Sequence, residues 1–116
     1  MTHAVTLLLG VHAHQPVGNF PEVIEDAHQR CYKPFLETLH AYPDFRFAAH
    51  FSGWLLDWLR ERHQADMDLL AQMVKRGQVE LFSSGDTEPV LAAIPHRDRV
   101  GQLKTLNDKL ADWTDV

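Results

Sequence analysis

Three short apolar runs alternate with longer amphipathic stretches along the chain. The first, Ala4-Val5-Thr6-Leu7-Leu8-Leu9-Gly10-Val11, shows no apolar–polar alternation. That pattern predicts a parallel strand buried on both faces. Phe45 to Phe51 is the second strand candidate, and Val79-Glu80-Leu81-Phe82 the third. Between the first two, Pro21 opens a helical segment with Glu22, Glu25 and Asp26 near its positive end. Val23, Ala27, Cys31, Phe35 and Leu39 recur every four residues, with Ile24 beside them, and read as one stripe covering a sheet. Pro34 falls within that stripe and predicts a kink or two successive helices.

Ser52 is placed to cap a helix over 53–59. A further helix over about 65–76 carries Met67, Leu70 and Val74, with Met73 alongside. Gly77 follows Lys75 and Arg76, cations suited to a helix C-terminus, and glycine takes the left-handed cap conformation. Pro95 opens the last helix, striped by Val100, Leu103, Leu106, Leu110 and Trp113. Alternation of strands and helices predicts an α/β fold, a parallel three-stranded βα-repeat sheet with right-handed crossovers. Residues 1–116 then form a single domain.

This organisation gathers the C-terminal strand ends on one edge, where parallel α/β folds put their chemistry. His12/His14, Phe51/Ser52 and Ser84–Glu88 meet there, though far apart in sequence. Three strands cannot close a barrel, since small closed barrels use about eight. The open parallel edge predicts either a piece of something larger or a chain that self-associates.

Composition narrows the partners. The 116 residues are 45% hydrophobic and 23% charged, with a formal net charge of -5. With no basic cluster to neutralise phosphates, nucleic acid is not an expected partner. No run is long enough to span a bilayer, so no membrane role is expected either. The single Cys31 allows no disulfide framework and reads as packing; a reducing, cytoplasmic location is expected.

The candidate chemistry lies at the strand ends. In extended chain, His12 and His14 point the same way and Ala13 the other. Glu88, backed by Pro89, sits on a loop that begins at Gly85, just past the third strand. It is either a surface acid or a site carboxylate. His12, His14 and Glu88 suit hydrogen bonding to ligand hydroxyls, and less readily a shared metal ion. Trp54 and Trp58, at i and i+4, read as packing rather than as ligand platforms. Glu80 is either a buried paired acid or an edge residue.

His12-Ala13-His14-Gln15-Pro16-Val17-Gly18-Asn19-Phe20 resembles the first signature of glycoside hydrolase family 57. His50-Phe51-Ser52-Gly53 and Gly77-Gln78-Val79-Glu80-Leu81 are similar to later family segments, in the right order. The stretch Gly85-Asp86-Thr87-Glu88-Pro89-Val90-Leu91-Ala92-Ala93-Ile94-Pro95 resembles the second signature. The resemblance covers nearly the whole chain.

It implies the first part of an incomplete seven-stranded (β/α) barrel acting on α-1,4-glucans or maltooligosaccharides with retention of configuration. It also implies substrate-binding roles for His12, His14, Gln15 and Glu88, no cofactor, and no metal. The family's nucleophilic glutamate and acid/base aspartate belong to later strands, so no catalytic residue is expected within residues 1–116. Retaining hydrolysis needs two carboxylates about 5 Å apart across the scissile bond, and Asp86 and Glu88, on one loop, oppose each other poorly. Thr87 departs from the family pattern, which has an aromatic residue before the Glu-Pro, and Asp86 from one commonly apolar or aromatic; both put a sugar-stacking contact in doubt. Two other readings remain open: a metal-dependent polysaccharide deacetylase-like hydrolase, and a catalytically silent carbohydrate-binding module.

Overall fold

A computed structural model of the chain describes residues 2–114. Its elements run β1 (Gly10–Ala13), α1 (Pro21–Ala27), a π-helical turn (His28–Tyr32), α2 (Lys33–His40), β2 (Phe47–Phe51), α3 (Gly53–Arg62), α4 (Gln64–Lys75), β3 (Val79–Leu81), a short 3-10 turn (Leu91–Ala93) and α5 (His96–Thr114). The sheet is parallel throughout, in the order β1-β2-β3. Gly10 pairs with Ala48 and His12 with His50, while Phe47 pairs with Val79. The chain is thus the parallel three-stranded α/β unit that its apolar pattern predicts.

The burial pattern corrects expectations for the first strand and for the first and last helices. The first strand begins at Gly10 rather than Ala4, and Val5, Leu7 and Leu8 are exposed. A run can be buried on both faces only where other chain covers it, and within residues 2–114 none does.

On the first helical stretch the buried row is Ile24, His28 and Leu36, one position from the predicted stripe. Val23 and Cys31 are exposed, so Cys31 is not core packing. A polar residue in the buried row disguised it: His28 is buried with its ring bonded to Asp66. The turn ahead of Pro34 widens to i→i+5, with the Lys33 N–H donating to the His28 carbonyl. Such a turn lets the helix pass a proline, which lacks an N–H and crowds the preceding turn.

Leu55, Leu56, Trp58 and Leu59 of α3 and Met67, Leu70 and Met73 of α4 close the core over Phe47, Ala49 and Phe51. Only the later part of α5 joins it: Leu106 is buried and Leu110 and Trp113 partly so, whereas Val100 and Leu103 are exposed.

Gly77 ends α4 as predicted, at φ +75°, with its N–H on the Val74 carbonyl and that of Gln78 on the Met73 carbonyl. Gln78 itself is buried, its amide nitrogen within 2.8–3.0 Å of the Leu39, Tyr42 and Phe45 carbonyls. Arg76 donates to its amide oxygen. This one side chain fastens the end of α2 to the start of β3.

Candidate functional site

Each side chain of the cluster is placed by a local rule. His12 lies in β1 and His50 in β2, at paired register positions, so both rings stand on the same face of the sheet. His14 follows two residues after His12 and keeps its side. Glu88 arrives from the loop after β3, at φ +52°. A non-glycine residue in that region is strained and persists only where its surroundings hold it.

The holding contacts are explicit. His12 Nε2 lies 2.7 Å, and His50 Nε2 2.5 Å, from Glu88 Oε1. His14 Nδ1 lies 3.0 Å from Oε2 of the same carboxylate. His50 Nδ1 faces the Phe82 carbonyl at 2.9 Å, which orients its ring. His12 and His50 stand with ring centroids 5.1 Å apart. Burial alone would raise the Glu88 pKa, but the hydrogen bonds from His12 and His50 and the neighbouring charges of His12 and His14 outweigh it. The carboxyl is held below its ordinary value and stays ionised. His12 remains 61% exposed at the side chain, so the cluster is open to solvent on one side.

The loop carrying Glu88 is pinned from beneath. The Gly53 N–H donates to the Asp86 carbonyl at 2.7 Å, and the Asp86 N–H to the Gln102 carbonyl. The Thr87 N–H donates to Gln102 Oε1 at 2.9 Å, so Thr87, where an aromatic residue was expected, braces the loop against α5. Lys109 Nζ lies 2.8 Å from the Asp86 carboxylate and 2.5 Å from that of Asp57. Asp86 therefore faces α5 and the start of α3. Ser52 does precede α3, but its hydroxyl makes no capping hydrogen bond; its carbonyl accepts the Leu56 N–H, the first bond of the helix.

Gln15, also predicted for the site, is engaged at both ends of its amide. Its nitrogen donates to the Tyr32 hydroxyl at 2.9 Å, and its oxygen accepts from Asn19 at 2.8 Å. Trp54 donates from Nε1 to the Gln15 carbonyl at 2.6 Å, and Trp58 is buried in the core. These contacts shape the turn that follows His14. Glu80 is exposed on β3.

His50 was not among the predicted site residues. Its signal was present in the alternation of β2, where Phe47, Ala49 and Phe51 face the core and Ala48 and His50 face the other way. Among the described residues, His12, His50 and Glu88 could also supply one donor atom each to a metal ion. The Glu88 oxygens are already engaged by three imidazoles at hydrogen-bonding distance. What the arrangement offers is a rigid ionised acceptor ringed by imidazoles, a set that suits hydroxyl groups.

Known proteins similar to this chain share one family. The chain is 48% identical over 104 residues to a 4-alpha-glucanotransferase of Thermococcus kodakarensis, covering 90% of this chain and 16% of that protein. It is 46% identical over 108 residues to an alpha-amylase of Pyrococcus furiosus, covering 93% and 17%. The crystal structure of 4-alpha-glucanotransferase from Thermococcus litoralis superposes with a TM-score of 0.88 at 45% identity, covering 91% of this chain and 17% of that one. The chain thus spans about a sixth of the length of the curated relatives it matches. The sequence profile of Glycosyl hydrolase family 57 matches residues 8–113, and the chain belongs to that family.

Proposed function

We propose that this chain forms one wall of the substrate-binding cleft of an α-1,4-glucan-active enzyme, a hydrolase or glucanotransferase built on a seven-stranded (β/α) barrel. The observation that carries the reading is the convergence of His12, His14 and His50 on the single carboxylate of Glu88. A sugar ring presents several hydroxyls within a few ångströms, each both donor and acceptor. Imidazole nitrogens and a fixed carboxylate match that pattern, and an ionised acceptor makes the stronger bonds. His12, His14, His50 and Glu88 are the proposed sugar contacts, with Gln15 setting the turn beside them.

The catalytic pair is assigned to strands beyond this unit. Asp86, the acid nearest Glu88 in sequence, is paired with Lys109 and is not offered as a partner across the scissile bond. Further barrel strands would cover the open edges of β1 and β3 and the exposed Val5, Leu7 and Leu8. No helix among the described residues is long and apolar enough to cross a membrane. We place the enzyme in the cytoplasm, in keeping with the unpaired Cys31 of this chain.

Isothermal titration of the chain with maltoheptaose tests the proposal. Binding that is lost in Glu88→Gln supports it. Absence of sugar binding, together with tight zinc binding that Glu88→Gln abolishes, would replace it with a metal-dependent hydrolase.

A further inference from the structure

Glu25, His28, His63 and Asp66 make a second cluster, built from the helices alone. His28 begins the π-helical turn, with a ring only 1% exposed, and its Nε2 lies 2.6 Å from Asp66 Oδ2 on α4. A carboxylate accepts, so the Nε2–H of His28 donates to Asp66, and Nδ1, which faces the Gln29 side-chain amide, is the nitrogen turned toward Glu25. That Nδ1 lies 3.9 Å from Glu25 Oε1 and 3.2 Å from the Gln29 amide nitrogen. His63, at the joint between α3 and α4, brings Nε2 to 2.7 Å from Glu25 Oε2.

We propose that Glu25, His28 and His63, with Asp66 behind His28, form a binding site for a zinc-type divalent cation. One donor atom from each of the three lies within 4.8 Å of the others. Two imidazole nitrogens and a carboxylate oxygen are a usual donor set for zinc, whereas calcium and magnesium prefer oxygen alone. Asp66 supplies the outer contact that metal-binding histidines ordinarily have, fixing the tautomer and aim of the ring. Water completes the coordination.

Binding requires a rearrangement of the two rings. The His28 and His63 rings are stacked, with centroids 3.5 Å apart and planes inclined by 18°. A shared ion must lie near the plane of both rings, so the stack has to splay. His28 is clamped by Asp66. The His63 ring has to turn about its side-chain bonds, because its backbone is held by the Leu59 carbonyl and by the Asp66 and Met67 N–H groups. The Glu25 side chain is 43% exposed and follows it. An ion there ties α1 to the α3–α4 joint, away from the three strand ends.

The test is calorimetric titration of the full chain with zinc chloride, alongside Glu25→Gln, His63→Gln, Asp66→Asn and Glu88→Gln, each checked for native circular dichroism. Glu25→Gln changes a partly exposed side chain, so it keeps the test open should a substitution in the buried Asp66 disturb folding. The proposal expects one zinc per chain whose affinity survives Glu88→Gln. That affinity falls at least tenfold in Glu25→Gln and His63→Gln, and about 10–100-fold in Asp66→Asn. Cobalt substitution should give visible absorption that is lost in the same variants. Zinc affinity abolished by Glu88→Gln but untouched by His63→Gln would overturn the proposal, as would a folded chain that binds no zinc.

Discussion

His12 and His50 are register partners on adjacent parallel strands, and both rings reach the same oxygen of Glu88, at 2.7 and 2.5 Å. The sheet holds the two imidazoles side by side, and the loop after β3 brings the acid to them. His50 is the more firmly set, because its second nitrogen faces the Phe82 carbonyl. His50→Ala should therefore weaken maltooligosaccharide binding about tenfold or more, the cost of one hydrogen bond to a charged group. Calorimetric titration checks this, and unchanged affinity would remove His50 from the site.

Glu88 also links the site to pH. Its carboxyl is held below the ordinary value in the folded chain, so it gives up its proton more readily there than when unfolded. The resulting stabilisation is complete above the unfolded carboxyl value and disappears as pH falls through the lowered folded one. Thermal melts across the acid range should show the wild-type chain losing this contribution, with Glu88→Gln giving a shallower acid limb. Parallel acid limbs for the two proteins would contradict the role given to the carboxylate.

Gly53 makes room for the loop that carries Glu88. A Cβ built there would meet Asp86 Oδ1 at 1.8 Å and the Asp86 carbonyl oxygen at 3.0 Å. Gly53→Ala should displace Asp86, weaken its pairing with Lys109 and cost about 1–3 kcal/mol, as overpacking does. Urea unfolding measures the cost, and a loss of sugar affinity should accompany it because the same loop positions Glu88.

Gln78 is a purely structural test case. Its amide nitrogen serves three carbonyls from its buried position, and two N–H groups cannot saturate all three at once. Gln78→Leu keeps similar bulk but leaves those acceptors without a donor. It should cost about 2 kcal/mol or more in chemical denaturation, and a near-neutral result would show that water takes over the contacts.

Much of this was legible along the chain. Period and punctuation located three strands and the main helices, and the glycine cap at Gly77 holds at φ +75°. Parallel topology was enough to bring His12, His14 and Glu88 to one edge. What escaped depended on neighbours across space. The alternation of β2 sets His50 apart from the core residues, but only its lateral register with His12 joins it to the site. His28 went unread in the stripe over Val23 to Leu39, because the Asp66 partner that lets a polar ring be buried lies 38 residues away. Leu7 and Leu8 read as buried on apolar character alone, yet nothing in this unit covers them.

The account stands on the three imidazoles and Glu88 acting together on one sugar. The most direct measurement follows the imidazole resonances of His12, His14 and His50 by NMR during titration with maltoheptaose. The account predicts that all three shift along one binding curve, while His28 and His63 stay still, and that the shifts vanish in Glu88→Gln. Sugar binding that leaves the His12, His14 and His50 resonances unmoved would contradict it.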